Sequence, residues 1–162
     1  MTLLRITPPL PALSFLVLLS IQASAFSATS PVGAFECPIT ISSGDSHHLE
    51  VDGLRTSVWS LGVVLFTPKG PGVRYDDGSL GMKWHWYRDV QGDLRISGRR
   101  LDGEAPPLRA EIPEGYGGTG FQATGLIFPT PGCWEVTGVV GESKLTFVTM
   151  VIDVCAYGSL CG

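Results

Sequence analysis

Beyond its first two dozen residues the chain has no long apolar run, no basic tract and no catalytic signature, and each gap removes a class of function. Lys and Arg number 11 against 15 Asp and Glu, a net charge of −4. A surface that binds nucleic acid or anionic membrane non-specifically needs the opposite balance, so neither partner is expected. There is no Gly-x-Ser-x-Gly elbow, no His-Glu-x-x-His and no Gly-x-x-x-x-Gly-Lys loop. Serine hydrolase, zinc protease and NTPase each lose their mechanical core, and the chain reads as non-enzymatic, with no cofactor. No Cys-x-x-Cys pair offers zinc-ribbon spacing or a redox dithiol. After the N-terminal segment, no window holds three uninterrupted turns of helical apolar periodicity, because 21 Gly and 12 Pro punctuate the chain into short elements.

The apolar run that is present, Leu10 to Ile21, ends in Ala23-Ser24-Ala25, the small-residue pattern of a signal-peptidase site. It falls short of the about 20 residues that span a bilayer, and Pro8, Pro9 and Pro11 stand at its start. The expectation is a signal peptide over 1–25 and no stable membrane insertion after cleavage. Retention as an anchor is the alternative. Cys37 follows Ala34-Phe35-Glu36 rather than a lipobox, which argues against lipid attachment. The mature chain is then exported, to the periplasm, the cell surface or the extracellular space. It consists of a flexible leader over 26–36, one domain over 37–154 and a tail over 155–162.

Within that domain the pattern is all-β. Strand-like runs cover Cys37 to Ile41, Ser57 to Phe66 with a turn or bulge at Gly62, Met82 to Tyr87, Leu94 to Leu101, Phe121 to Phe128, Cys133 to Val140 and Lys144 to Ile152. Gln91-Gly92-Asp93 is expected to join the third and fourth as a hairpin, and Gly141-Glu142 to join the last two. Short strands at this spacing suit two sheets that hide each other's apolar faces, so the expected fold is an Ig-like antiparallel β-sandwich. The alternation puts Met82, Trp84 and Trp86 on one side and Lys83, His85 and Tyr87 on the other, which favours a core role for the two tryptophans over ligand stacking. Trp134, Val136 and Phe147 are expected to share that core.

Several blocks stand out: Gly78-Ser79-Leu80-Gly81-Met82-Lys83, Gly98-Arg99-Arg100-Leu101-Asp102 with Ala105-Pro106-Pro107-Leu108-Arg109-Ala110, Ile112-Pro113-Glu114-Gly115-Tyr116-Gly117, and Leu126 to Gly138 with its Pro-Gly-Cys-Trp-Glu-Val-Thr-Gly core. Together they resemble a family of uncharacterised exported bacterial Ig-like proteins. The resemblance spans residues 78–152 and implies fold and export only.

Four cysteines in an exported chain point to disulfides rather than to metal or catalysis. Cys37 with Cys133 and Cys155 with Cys161 is the preferred pairing, since the last two are near enough to close a tail loop. The rival links Cys133 to Cys155 across the final hairpin. Asp45, His47 and His48 are the one cluster with metal-ligand chemistry, but without a partner Cys/His set solvated loop residues are the better account of them, and no metal is expected. Asp76-Asp77 ahead of Gly78 reads as a turn. Candidate contacts for a ligand are Tyr116, carried by the Gly115-to-Gly120 loop, together with Tyr87 and Arg99. The function expected is recognition of a protein, peptide or glycan. A protease inhibitor presenting Gly103 to Gly120 is the alternative, and a small hydrolase a third reading.

Overall fold

The computed structural model describes residues 36–42 and 47–157. Turn residues divide the described chain into ten strands: β1 (His48–Val51), β2 (Leu54–Ser57), β3 (Val63–Phe66), β4 (Val73–Arg74), β5 (Leu80–Arg88), β6 (Arg95–Arg100), β7 (Arg109–Glu111), β8 (Gly120–Phe128), β9 (Gly132–Val140) and β10 (Ser143–Asp153). One sheet runs β1-β2-β5-β8-β7, with β4 also paired to β5; the other runs β3-β10-β9-β6. Strands β5, β8 and β7 therefore face β6, β9 and β10, the immunoglobulin arrangement. Every pairing is antiparallel except β3 with β10.

Alternation decides what each sheet hides. Met82, Trp84 and Trp86 from β5 meet Trp134 and Val136 from β9 and Phe147 from β10, all of them buried. The rings also satisfy their polar atoms where they can: Trp84 Nε1 donates to Thr56 Oγ1 at 2.9 Å and Trp134 Nε1 to the Thr130 carbonyl at 3.0 Å. Trp86 lies over Gly138, where a Cβ would stand 2.5 Å from two atoms of the indole ring. Only glycine lets the two sheets approach there.

Cys37 and Cys133 form a disulfide with a Cα–Cα distance of 5.6 Å. This excludes the Cys133–Cys155 alternative. Cys155 is disulfide-bonded as well, and Cys161 lies outside the described residues. Cys133 is the second residue of β9, so the bridge ties the start of the domain to a central strand of the four-stranded sheet. The expected leader and signal segments lie outside the described residues, apart from Glu36.

Several expectations change. Leu94 to Leu101 does not fold back on Met82 to Tyr87: β5 pairs with β8, β2 and β4, while β6 pairs with β9 in the other sheet. The Gln91-to-Asp93 turn is a crossing between sheets, because Leu94 dives into the core instead of continuing the ladder. Ser57 to Phe66 is likewise split. Leu61 and Gly62 both take positive φ, 58° and 64°, so the chain leaves one sheet at Ser57 and enters the other at Val63. Cys37 to Ile41 forms no strand: the Ile39 N–H turns back onto the Cys37 carbonyl at 2.8 Å, and Thr40 joins β10, its N–H donating to the Val148 carbonyl and its hydroxyl accepting from the Val148 N–H. The β1–β2 hairpin was not expected, and its turn is Asp52-Gly53 with positive φ at both residues. The Gly141-Glu142 turn does join β9 to β10, with Val140 opposite Ser143.

Candidate functional site

The side chains that alternate away from the core on β5 are Lys83, His85 and Tyr87. Register sets Arg55 of β2 on one side of Tyr87 and Phe121 of β8 on the other. The result is a contiguous aromatic row on the outer face of the larger sheet. Tyr87 meets Phe121 edge-on at 5.4 Å between centroids, and Tyr116 meets the same ring at 5.9 Å from the loop before β8. His85 lies 5.6 Å from Phe121. The Arg55 guanidinium sits 5.4 Å from the Tyr87 centroid and is held from behind by Asp89 at 3.1 Å. Tyr87, Tyr116 and Phe121 are each between 36% and 41% exposed. Single exposed rings are ordinary on a protein surface; three joined in one row through Phe121 beside a cation are not.

Tyr116 also walls a cleft of about 410 Å³ at the end of the sandwich, lined besides by Arg88, Asp93, Leu94, Ile112, Glu114 and Gln122. Arg88 is buried. Its guanidinium donates to the Gly92 carbonyl at 2.8 Å and to the Gly117 carbonyl at 2.8 Å, which fastens the sheet-crossing turn to the Tyr116 loop. Gln122 Nε2 donates to the Pro113 carbonyl at 3.3 Å. Arg88 Nε and Gln122 Oε1, both buried, have no hydrogen-bond partner.

No family model and no curated protein sequence matches this chain.

Of the residues singled out from sequence, Tyr87 and Tyr116 converge through Phe121. Arg99 does not join them: it faces outward on β6, in the other sheet, and pairs with Glu135 at 2.8 Å. Exposed His48 lies on β1 with Nδ1 3.1 Å from Oγ of the half-buried Ser57, its cross-strand partner. The His47 carbonyl accepts the Val58 N–H at 2.8 Å. Asp45 lies outside the described residues, and among the described residues no three His, Cys, Asp or Glu side chains come together as metal ligands. Asp77 accepts from the Ser79 N–H at 2.9 Å and from its hydroxyl, a turn role. These bonds, with a further one from Arg109, hold its carboxyl below the ordinary aspartate range. The Gly103-to-Gly120 stretch is no free loop, since Leu108 is buried and β7 pairs with β8. Phe121, Arg88 and Gln122 were missed in the sequence. Phe121 carries a signal only once its register opposite Tyr87 is known.

Proposed function

We propose that this chain is an exported, non-enzymatic Ig-like module that recognises a protein, peptide or glycan at or beyond the cell surface. The observation that carries the reading is the Arg55–Tyr87–Phe121–Tyr116 row. Tyr and Arg dominate the energetically decisive centres of recognition surfaces, because they bring large, semi-rigid contact area with polar tips. Here Arg55, Tyr87 and Phe121 stand on paired strands and Tyr116 on the adjoining loop packs against Phe121, so the arrangement is ordered before any partner arrives. The Ala23-Ser24-Ala25 boundary and the oxidised cysteines support export. Among the described residues no helix is long and apolar enough to cross a membrane, which is compatible with it. The blocks over 78–152 that resemble exported Ig-like proteins point the same way.

The test is a paired capture from the native cell-surface fraction with the wild type and a Tyr87→Ala/Phe121→Ala variant of equal melting temperature. A component retained by the first and lost by the second is the expected result. Near-stoichiometric slowing of a trypsin-like, subtilisin-like or metalloprotease by the wild type would replace recognition with inhibition.

A further inference from the structure

The geometry points to a ligand class: we propose that the cleft between the Gln91-to-Asp93 turn and the Ile112-to-Gly117 loop holds a neutral saccharide ring, an inference that rests on the recognition reading above. Its volume, about 410 Å³, falls within the range of small-ligand sites, about 300 to 1,000 Å³. Leu94 and Ile112 supply an apolar lining and Tyr116 an aromatic wall. The polar groups are of two kinds. Arg88 and Gln122, 2% and 5% exposed, come from neighbouring strands of the larger sheet, and Asp93 and Glu114 stand exposed at the rim.

Those four side chains select the ligand chemistry. A guanidinium only donates, carboxylates only accept and an amide does both. A ligand carboxylate would meet Asp93 and Glu114, and a ligand ammonium would meet Arg88. Hydroxyl groups both donate and accept, so a polyol satisfies all four without a charge conflict. A pyranose adds an apolar C–H face that suits the Tyr116 ring. The buried Gln122 Oε1 and Arg88 Nε are unpaired, and a buried polar atom without a partner is the condition that a ligand hydroxyl relieves. Both walls are already fixed to each other: besides the two Arg88 bonds, Gly92 N–H donates to the Gly118 carbonyl at 3.1 Å. Little ordering is then left for binding to impose.

Arg88 fastens the two loops, so its replacement would test folding as much as binding. Glu114→Gln and Tyr116→Ala change exposed side chains and avoid that difficulty. The full exported protein is applied to an array of neutral oligosaccharides (β-glucans, mannans and N-acetylglucosamine oligomers), acidic oligosaccharides and hexapeptides, and calorimetric titration follows on whichever is retained. Retention of a neutral oligosaccharide, weakened about tenfold or more by each variant at unchanged melting temperature, is expected. Failure to retain any neutral oligosaccharide overturns the proposal. Retention of hexapeptides alone, lost in Tyr87→Ala but intact in Glu114→Gln, overturns it while leaving recognition in place. Turnover of an arrayed oligosaccharide or peptide by the wild type would instead defeat the non-enzymatic reading beneath it.

Discussion

Trp84 lies flat against Phe147, with ring centroids 5.1 Å apart and planes 10° from parallel. The first ring belongs to β5 and the second to β10, so this stack joins the two sheets at the centre of the core. Both are almost fully buried. A double-mutant cycle over Trp84→Leu and Phe147→Leu should return a coupling of about 0.5 to 1.5 kcal/mol, the part of the pair's worth that exceeds area burial. Strictly additive losses in denaturant melts would mean that each ring stabilises the core through its other neighbours.

Trp134 is the other inter-sheet anchor, edge-on to Phe128 at 5.8 Å and fully buried. Trp134→Ala removes the ring and the Nε1 bond to Thr130 together, and should cost about 3 to 5 kcal/mol. Chemical denaturation checks this, and an unchanged midpoint would show that the ring is not enclosed in solution.

Gly138→Ala is the most conservative change that should do visible damage. The added methyl would have to displace the Trp86 indole, which is itself packed against Phe147 at 6.3 Å. Overpacking of this kind costs about 1 to 3 kcal/mol. A melting temperature equal to the wild type would show that the sheets can separate locally without penalty.

The Cys37–Cys133 bridge spans 96 residues of sequence. In the chain-entropy account, closing such a loop in the unfolded state is worth about 4 to 5 kcal/mol. Cys37→Ala/Cys133→Ala should lose much of that and fold only marginally at 37 °C. Non-reducing peptide mass spectrometry of the wild type provides the matching observation, one peptide joining the two positions.

Acid should weaken the domain through its paired aspartates. The Arg74 hydrogen bonds, the shortest 2.6 Å, outweigh burial and hold the Asp153 carboxyl below its ordinary range, helped by the Cys155 N–H. For Asp102, burial pushes upward, but the Arg100 side chain and the Cys133 N–H pull harder and the net direction is down. A lowered folded-state value means stability that is fully present above the unfolded pKa, about 3.9, and is lost as pH falls through the folded value. The melting temperature should therefore hold down to about pH 5 and drop below about pH 4. Asp153→Asn should be less stable at neutral pH and show a shallower acid loss; an acid slope identical to the wild type would remove this ion pair from the cause.

How much of this was legible in the sequence depends on what a period of two encodes. Alternation reports which side of a strand is hidden, so Met82-x-Trp84-x-Trp86 and Trp134-x-Val136 could be assigned to the core from the sequence alone. The same logic, with the Gly141-Glu142 turn, made β9 and β10 readable as a hairpin, and the short spacing of Cys155 and Cys161, which leaves the other two cysteines to each other, pointed to Cys37–Cys133. Alternation says nothing about which strand lies alongside. Whether the Gln91-to-Asp93 turn closes a hairpin or crosses to the other sheet is decided by where Leu94 can be buried, a long-range packing term absent from the local pattern. The aromatic row has the same origin. Tyr87, Tyr116 and Phe121 are spread over 35 positions of sequence, and only the β5–β8 register brings their rings together. Arg88 and Gln122 carry no signal of their own, because a charged and an amide side chain on the buried faces of two strands find their carbonyl partners, and the cleft beside them, only when the loops at Gly92, Pro113 and Gly117 fold over that end of the sandwich.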